Sequence, residues 1–220
     1  IGDIIRAVFK NRPLLLLIIA DTFNNTCTFL VAAFAFYYFT YVIRNTAFLS
    51  VFILAFSIAS LVGTLVAPGL GLKLGKRNAY RIFLALAACG FASSIVLARS
   101  AWSFTFIFCI SGMFQYVASS MNTALYSDTV VYGEWKTGKN IRAFTMALLV
   151  LPIKVGLFFR SAIIAVGLIA IGFVANEDPT PEVVAGIRAI MTFAPAAACA
   201  IGAIIFSLGY KIEDKNVLLM

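Results

Sequence analysis

Apolar residues along this chain do not alternate with polar ones at a period of two. They run together in six stretches, at 14–43, 47–72, 80–98, 102–126, 143–174 and 184–209. Each stretch reaches the roughly 20 residues that a helix needs to cross a bilayer core. Runs such as Ile53 to Ser60 and Ala194 to Ile205 are apolar on every side, which excludes the inside–outside alternation of a membrane β-barrel. The pattern predicts an all-α membrane protein with six transmembrane helices. Two of these carry polar stripes. Asp21, Asn24, Asn25 and Thr28 share one side of the first helix, and Ser111, Gln115, Ser119 and Asn122 share one side of the fourth, continued by Tyr126. Hydrocarbon offers such groups no partner, so the stripes are expected to meet a water-filled cavity or another polar helix. A plainer reading makes each Ser, Thr or Asn a hydrogen bond between neighbouring helices. The third and sixth helices are almost wholly apolar and are expected to face lipid or to buttress the others. Polar first and fourth helices suit two three-helix repeats that place both beside a central path.

Composition sharpens this picture. Of 220 residues 62% are hydrophobic and 12% charged, and a mean hydropathy of +1.00 excludes a soluble fold. A net charge of +8 would suggest nucleic acid in a soluble chain; here it marks topology, and no nucleic-acid partner is expected. Arg6, Lys10, Arg12, Lys73, Lys76, Arg77, Arg81, Lys136, Lys139, Arg142, Lys211 and Lys215 fall on one side of the six spans, against Arg44, Arg99 and Arg188 on the other. The positive-inside rule therefore puts both termini in the cytoplasm. The acidic connection from Asn176 to Glu182 fits the outer side. The absence of His removes the commonest general base and metal ligand together, and no Walker-type phosphate loop is present. Neither a catalytic set nor a metal-ligating set nor a cofactor is expected. Cys27, Cys89, Cys109 and Cys199 stand singly in four different spans and read as small buried hydrophobes. The chain opens on Ile1 and enters a spanning helix without a signal-peptide pattern, so it is expected to be a piece of something longer.

Three ionisable residues lie within the spans. Arg160, 18 residues beyond Arg142, is about 27 Å further along a helix and near the outer interface, where it can snorkel. Lys154, 12 residues beyond Arg142, is about 18 Å in and close to the membrane centre. An uncompensated charge there costs at least about 2.5–3.5 kcal/mol. Pro152 is expected to kink this helix and free the carbonyl of Leu148, and a broken helix beside a buried charge suits a transporter substrate site. Asp21 is about 13 Å in from the same side, at similar depth, so an Asp21–Lys154 ion pair is geometrically possible.

The segment 128–140, DTVVYGEWKTGKN, is read as part of a cytoplasmic gate loop over 127–142. It resembles the DTVDYGEWKTGKR signature of the glycoside-pentoside-hexuronide:cation symporters, the melibiose permease group of the major facilitator superfamily. KNRP at 10–13 and FYYFTYVI at 36–43 are similar to the opening helix of that family's C-terminal half, and GLKLGKR at 71–77 to its basic linking segment. The resemblance covers essentially the whole chain. It implies that these helices are the seventh to twelfth of a twelve-helix symporter working by alternating access, the C-terminal half-bundle, in the inner membrane. Its implied partners are a sugar or glycoside, a co-transported monovalent cation (Na+ or H+) bound mainly by the N-terminal half, that half itself, and the lipid bilayer.

The resemblance further implies that Lys154 takes part in sugar recognition and cation coupling, and the stripe residues Asp21, Asn25, Gln115, Ser119, Asn122 and Tyr126 complete the expected substrate and coupling site. Asp128, Tyr132, Gly133, Glu134, Trp135, Lys136 and Arg142 form the expected cytoplasmic gate, in which the acidic groups meet basic groups of the N-terminal half. A plainer reading gives Lys136, Lys139 and Arg142 topology alone and Tyr132 and Trp135 interfacial anchoring. Val131 stands where the signature has a second aspartate, Ser119 where melibiose permease has a tryptophan, and Arg160 where it has a small residue, which leaves the sugar open. Two alternatives remain at this stage. One is a major facilitator carrying an amphiphilic lipid or another organic solute; the other is a stand-alone six-helix channel, scaffold or membrane enzyme.

Overall fold

The computed structural model describes residues 9–138, 140–175, 177–210 and 212; Arg6, Lys139, Asn176, Lys211 and Lys215 lie outside the described residues. Its helices are α1 (Arg12–Tyr37, extended by a π-turn over Tyr38–Val42), α2 (Ala47–Leu74), α3 (Lys76–Leu97), α4 (Ala101–Thr137), α5 (Arg142–Ala147), α6 (Val150–Ala170) and α7 (Pro181–Gly209). With α5 and α6 taken together, six helical spans among the described residues are long and apolar enough to cross a membrane.

The ends of these helices follow from single residues. Asn11 caps α1 by accepting from the Leu14 amide at 3.3 Å, with Pro13 in the first turn where its missing N–H costs nothing. Ser100 and Ser103 close a reciprocal capping box at the start of α4. Gly75 alone joins α2 to α3 with φ of 80°, and Gly138, with φ of 65°, ends α4 by donating to the Glu134 carbonyl at 2.8 Å. Both positions need the left-handed region that glycine occupies without steric cost.

The spans pack in the order α2–α4–α3–α7–α1–α6, and α1 also meets α4 through the two polar stripes. The expectation for the third and sixth spans is thus refined. α3 and α7 pack against each other and behind α4 and α1, whereas α2 and α6 have the most exposed surfaces. Far from the signature segment, the FYYF residues seed an aromatic core: Tyr38 stacks on Phe104 at 4.0 Å, Phe104 on Phe108 at 4.2 Å, and Phe39 meets Phe52 at 5.0 Å. Cys27 and Cys199 are buried as expected, but Cys89 is exposed on α3; all four thiols are free.

Two sequence expectations change here. The stretch 127–137 is not loop: it forms the last three turns of α4, and the connection shrinks to the residues around Gly138 and Asn140. The fifth span does break, but at Leu148–Leu149, ahead of Pro152. The Leu148 carbonyl is not free either, since the Leu151 amide donates to it at 3.0 Å in a tighter turn.

Candidate functional site

The α1 and α4 stripes face each other across the bundle and bond directly. Gln115 donates to Asn24 Oδ1 at 2.8 Å and to Thr28 Oγ1 at 2.7 Å, and Asn24 donates to Ser119 Oγ at 2.8 Å. Closer to the signature segment, Asn122 donates to Asp21 Oδ1 at 2.5 Å, Asn25 to the same oxygen at 3.0 Å, and Tyr126 to Asp21 Oδ2 at 3.5 Å. The helical repeat makes this possible: residues three or four apart on one helix meet residues three or four apart on an antiparallel neighbour. Asp21, Asn24, Gln115 and Tyr126 are buried, while Asn25, Thr28, Ser119 and Asn122 are half-buried. The buried members fix the geometry, and the half-buried ones are available to a solute.

Lys154 stands apart from this network. α6 packs on α1 through Gly156, where an added Cβ would lie 3.1 Å from both Asn25 Cβ and the Thr26 amide nitrogen. This contact places Lys154 within about one helical turn of the depth of Asp21. Yet Lys154 is exposed and makes no ion pair among the described residues, and the bonds to the Asp21 carboxylate come from Asn25, Asn122 and Tyr126. The expected Asp21–Lys154 pair is not formed: Asp21 points toward α4, and Lys154 lies on the uncovered side of α6. Arg160, further along α6, is half-buried and its Nε has no hydrogen-bond partner among the described residues.

The signature residues divide by surroundings. Asp128 is buried and paired with Lys76, whose ammonium lies 2.7 and 2.6 Å from its two oxygens. This bond ties the GLKLGKR segment to the DTVVYGEWKTGKN segment within the bundle. Glu134 is half-buried and makes no ion pair among the described residues. Tyr132 and Trp135 lie 6.3 Å apart, Trp135 being 62% exposed, and Lys136 sits 5.5 Å over the Tyr132 ring. Arg142 is exposed at the start of α5.

Asn11 and Ile141 belong to this site and escape the sequence reading. Asn11 Nδ2 donates to the Thr129 carbonyl at 2.8 Å, and a Cβ on Gly133 would meet Ile141 Cδ1 and Asn11 Nδ2 in sub-van der Waals contact. Gly133 is thus the notch into which the start of α1 and the α4–α5 connection fit. The KNRP match was the available signal, since it marks the residue that does this. Asn11→Ala removes both the α1 cap and this tie, and is expected to cost about 1–2 kcal/mol, read as a lowered melting temperature in detergent. An unchanged melting temperature would show that the tie is dispensable.

Six helical spans, two of them joined by a band of polar side chains, are those of a multi-pass membrane protein. The chain belongs to the family described as MFS/sugar transport protein, which it matches over residues 1–214. It is 32% identical over 214 residues to the glucuronide carrier protein homolog of Escherichia coli (strain K12), covering 94% of this chain and 46% of that one. It is 27% identical over 211 residues to a putative sulfoquinovose importer of Salmonella typhimurium (strain LT2), covering 96% and 44%. An uncharacterized symporter of Bacillus subtilis (strain 168) is 25% identical over 216 residues, covering 98% and 47%. These relatives are named as a carrier, an importer and a symporter, transport proteins rather than enzymes. The chain spans less than half the length of each. The resemblance to the cation symporters read from the signature is consistent with this family.

Proposed function

We propose that this chain is the C-terminal half of a cation-coupled sugar or glycoside symporter of the inner membrane, with both termini cytoplasmic, working by alternating access against an N-terminal six-helix half. The observation that carries this reading is the mid-depth polar band joining α1 and α4, flanked by Lys154 on the exposed side of α6. Hydrocarbon would leave that lysine and the half-buried amides unsatisfied, so a water-filled path between two halves is their natural setting. The uncovered apolar sides of α2 and α6 supply the contact with the second half. Asn25, Ser119 and Asn122 bond sugar hydroxyls, and Lys154 binds the substrate's oxygens. The named substrates of the relatives, a glucuronide and a sulfonated sugar, are anionic sugars and suit an ammonium at this place.

The test uses the full-length transporter in proteoliposomes with radiolabelled methyl β-glucuronide. Inward Na+ or proton gradients are expected to drive accumulation that collapses on adding the matching ionophore. Uptake that proceeds equally without any cation gradient would overturn the coupling.

A further inference from the structure

Asp21 is 3% exposed and lies nine residues into the first span from Arg12. Its carboxylate bonds with Asn122, Asn25 and Tyr126, with Asn24 also within reach, all of them neutral donors. The ionisable groups around it among the described residues are Tyr126 of α4 and Tyr80 of α3, with Cys199 of α7 beside Tyr80 and Cys27, Tyr116 of α4 beyond them near Cys27, and Lys154 of α6. α2 brings none to this depth, its Lys73 lying in the last turn. The one cation in that set, Lys154, is turned to the open side of α6 and makes no bond to Asp21. Neutral donors solvate a carboxylate but leave its net charge in place, and a net charge within a membrane is costly unless something positive joins it.

Among the described residues, two acceptors at this point are incompletely filled. Asp21 Oδ2 has the 3.5 Å contact from Tyr126, which is long for an O–H donor, and the Asn24 amide, which already bonds Ser119, lies within reach of the same carboxylate. Asn122 Oδ1 is buried without a partner, on the same amide that holds Asp21 Oδ1. A buried acceptor without a donor carries a desolvation cost that a ligand can relieve. One carboxylate among amides and a phenol balances a single positive charge, whereas a divalent ion would be left in excess.

We infer that Asp21, with Asn122, Asn25 and Tyr126, forms a loading site for one positive charge, a proton or an alkali cation, carried by this half of the transporter and separate from Lys154. A proton would sit on Oδ2 and bond toward the Tyr126 oxygen. An alkali cation would take Oδ2, Asn122 Oδ1 and the Tyr126 oxygen together. Loading neutralises the α1–α4 junction, the same junction through which Gln115 and Ser119 hold the solute band, so charge and sugar occupancy are linked in one structure. The link to sugar rests on the symporter reading; the loading site itself does not.

The experiment therefore has two readouts on the full-length transporter. Infrared difference spectra of purified protein across a pH change, and on adding Na+ or Li+ at fixed pH, are expected to show a carboxyl signal that is lost entirely in Asp21→Asn. Asp21→Glu should keep a shifted signal. A pH response indifferent to Na+ and Li+ identifies the proton, and a carboxyl band removed by either ion identifies the alkali cation. In proteoliposomes, Asp21→Asn is expected to lower gradient-driven accumulation of methyl β-glucuronide about tenfold or more. Spectra identical in wild type and Asp21→Asn, or an Asn variant that accumulates the glucuronide as wild type does, would overturn the loading site. An Asp21-dependent signal in a wild type that shows no gradient-driven accumulation would uphold the loading site and overturn the symport reading.

Discussion

Lys154→Gln in the full-length transporter is expected to abolish accumulation of sugar against its gradient while leaving insertion and thermal stability unchanged. The contrast follows from where the residue stands. Lys154 is exposed on α6 and makes no ion pair among the described residues, so its loss removes no such tie within the bundle. What it loses is a mobile ammonium with three donors at mid-depth, able to bond substrate oxygens and to exchange carboxylate partners as a cation arrives or leaves. Gradient-driven uptake is expected to fall by about 100-fold or more, as expected when an interaction with the moving solute is removed rather than one with the fold. Lys154→Arg is not expected to rescue, since a planar guanidinium differs in reach and in the geometry of its donors. Parallel measurement of uptake and melting temperature decides the matter. Activity lost in proportion to folded protein would make Lys154 a structural residue, and normal accumulation by a well-folded Gln variant would remove it from the site.

The spans were legible in the sequence because bilayer thickness imposes a length and hydrocarbon excludes polar groups, two constraints that act locally. The stripes on α1 and α4 were legible for the same reason: helical spacing places Asp21 beside Asn25, and Gln115 beside Ser119, whatever the rest of the fold does. What spacing leaves open is rotation. Asp21 and Lys154 do lie at similar depth, but depth does not say which way each side chain points, and the packing of Gly156 on Asn25 and Thr26 turns Lys154 outward. The signature segment was misread as a loop because its charges and glycines resemble a connection, whereas Gly138 alone is the stop. Asn11 was invisible for a third reason. Its bond to Thr129 joins residues 118 apart, and such a tie exists only after α1 and α4 have come together.

The Lys76–Asp128 pair leads to an asymmetric result. Both residues sit at the signature end of the bundle, but the side chain of Asp128 is 8% exposed and that of Lys76 30%. Lys76→Gln takes an ammonium from beside a buried carboxylate, and the lost charge-assisted bond is expected to cost about 1.5–3 kcal/mol. Asp128→Asn leaves behind an ammonium that can turn to water along its flexible stem, so the part-exposed geometry calls for a smaller loss, of about 1 kcal/mol. The double variant should recover part of what Lys76→Gln loses, because the carboxylate that the ammonium served is then neutral as well. Melting temperatures of the three variants in detergent, placed in a double-mutant cycle, give the coupling directly. Equal losses for the two single variants would mean that burial of Asp128 does not set the balance. Simple additivity in the double variant would mean that the two side chains do not act as a pair.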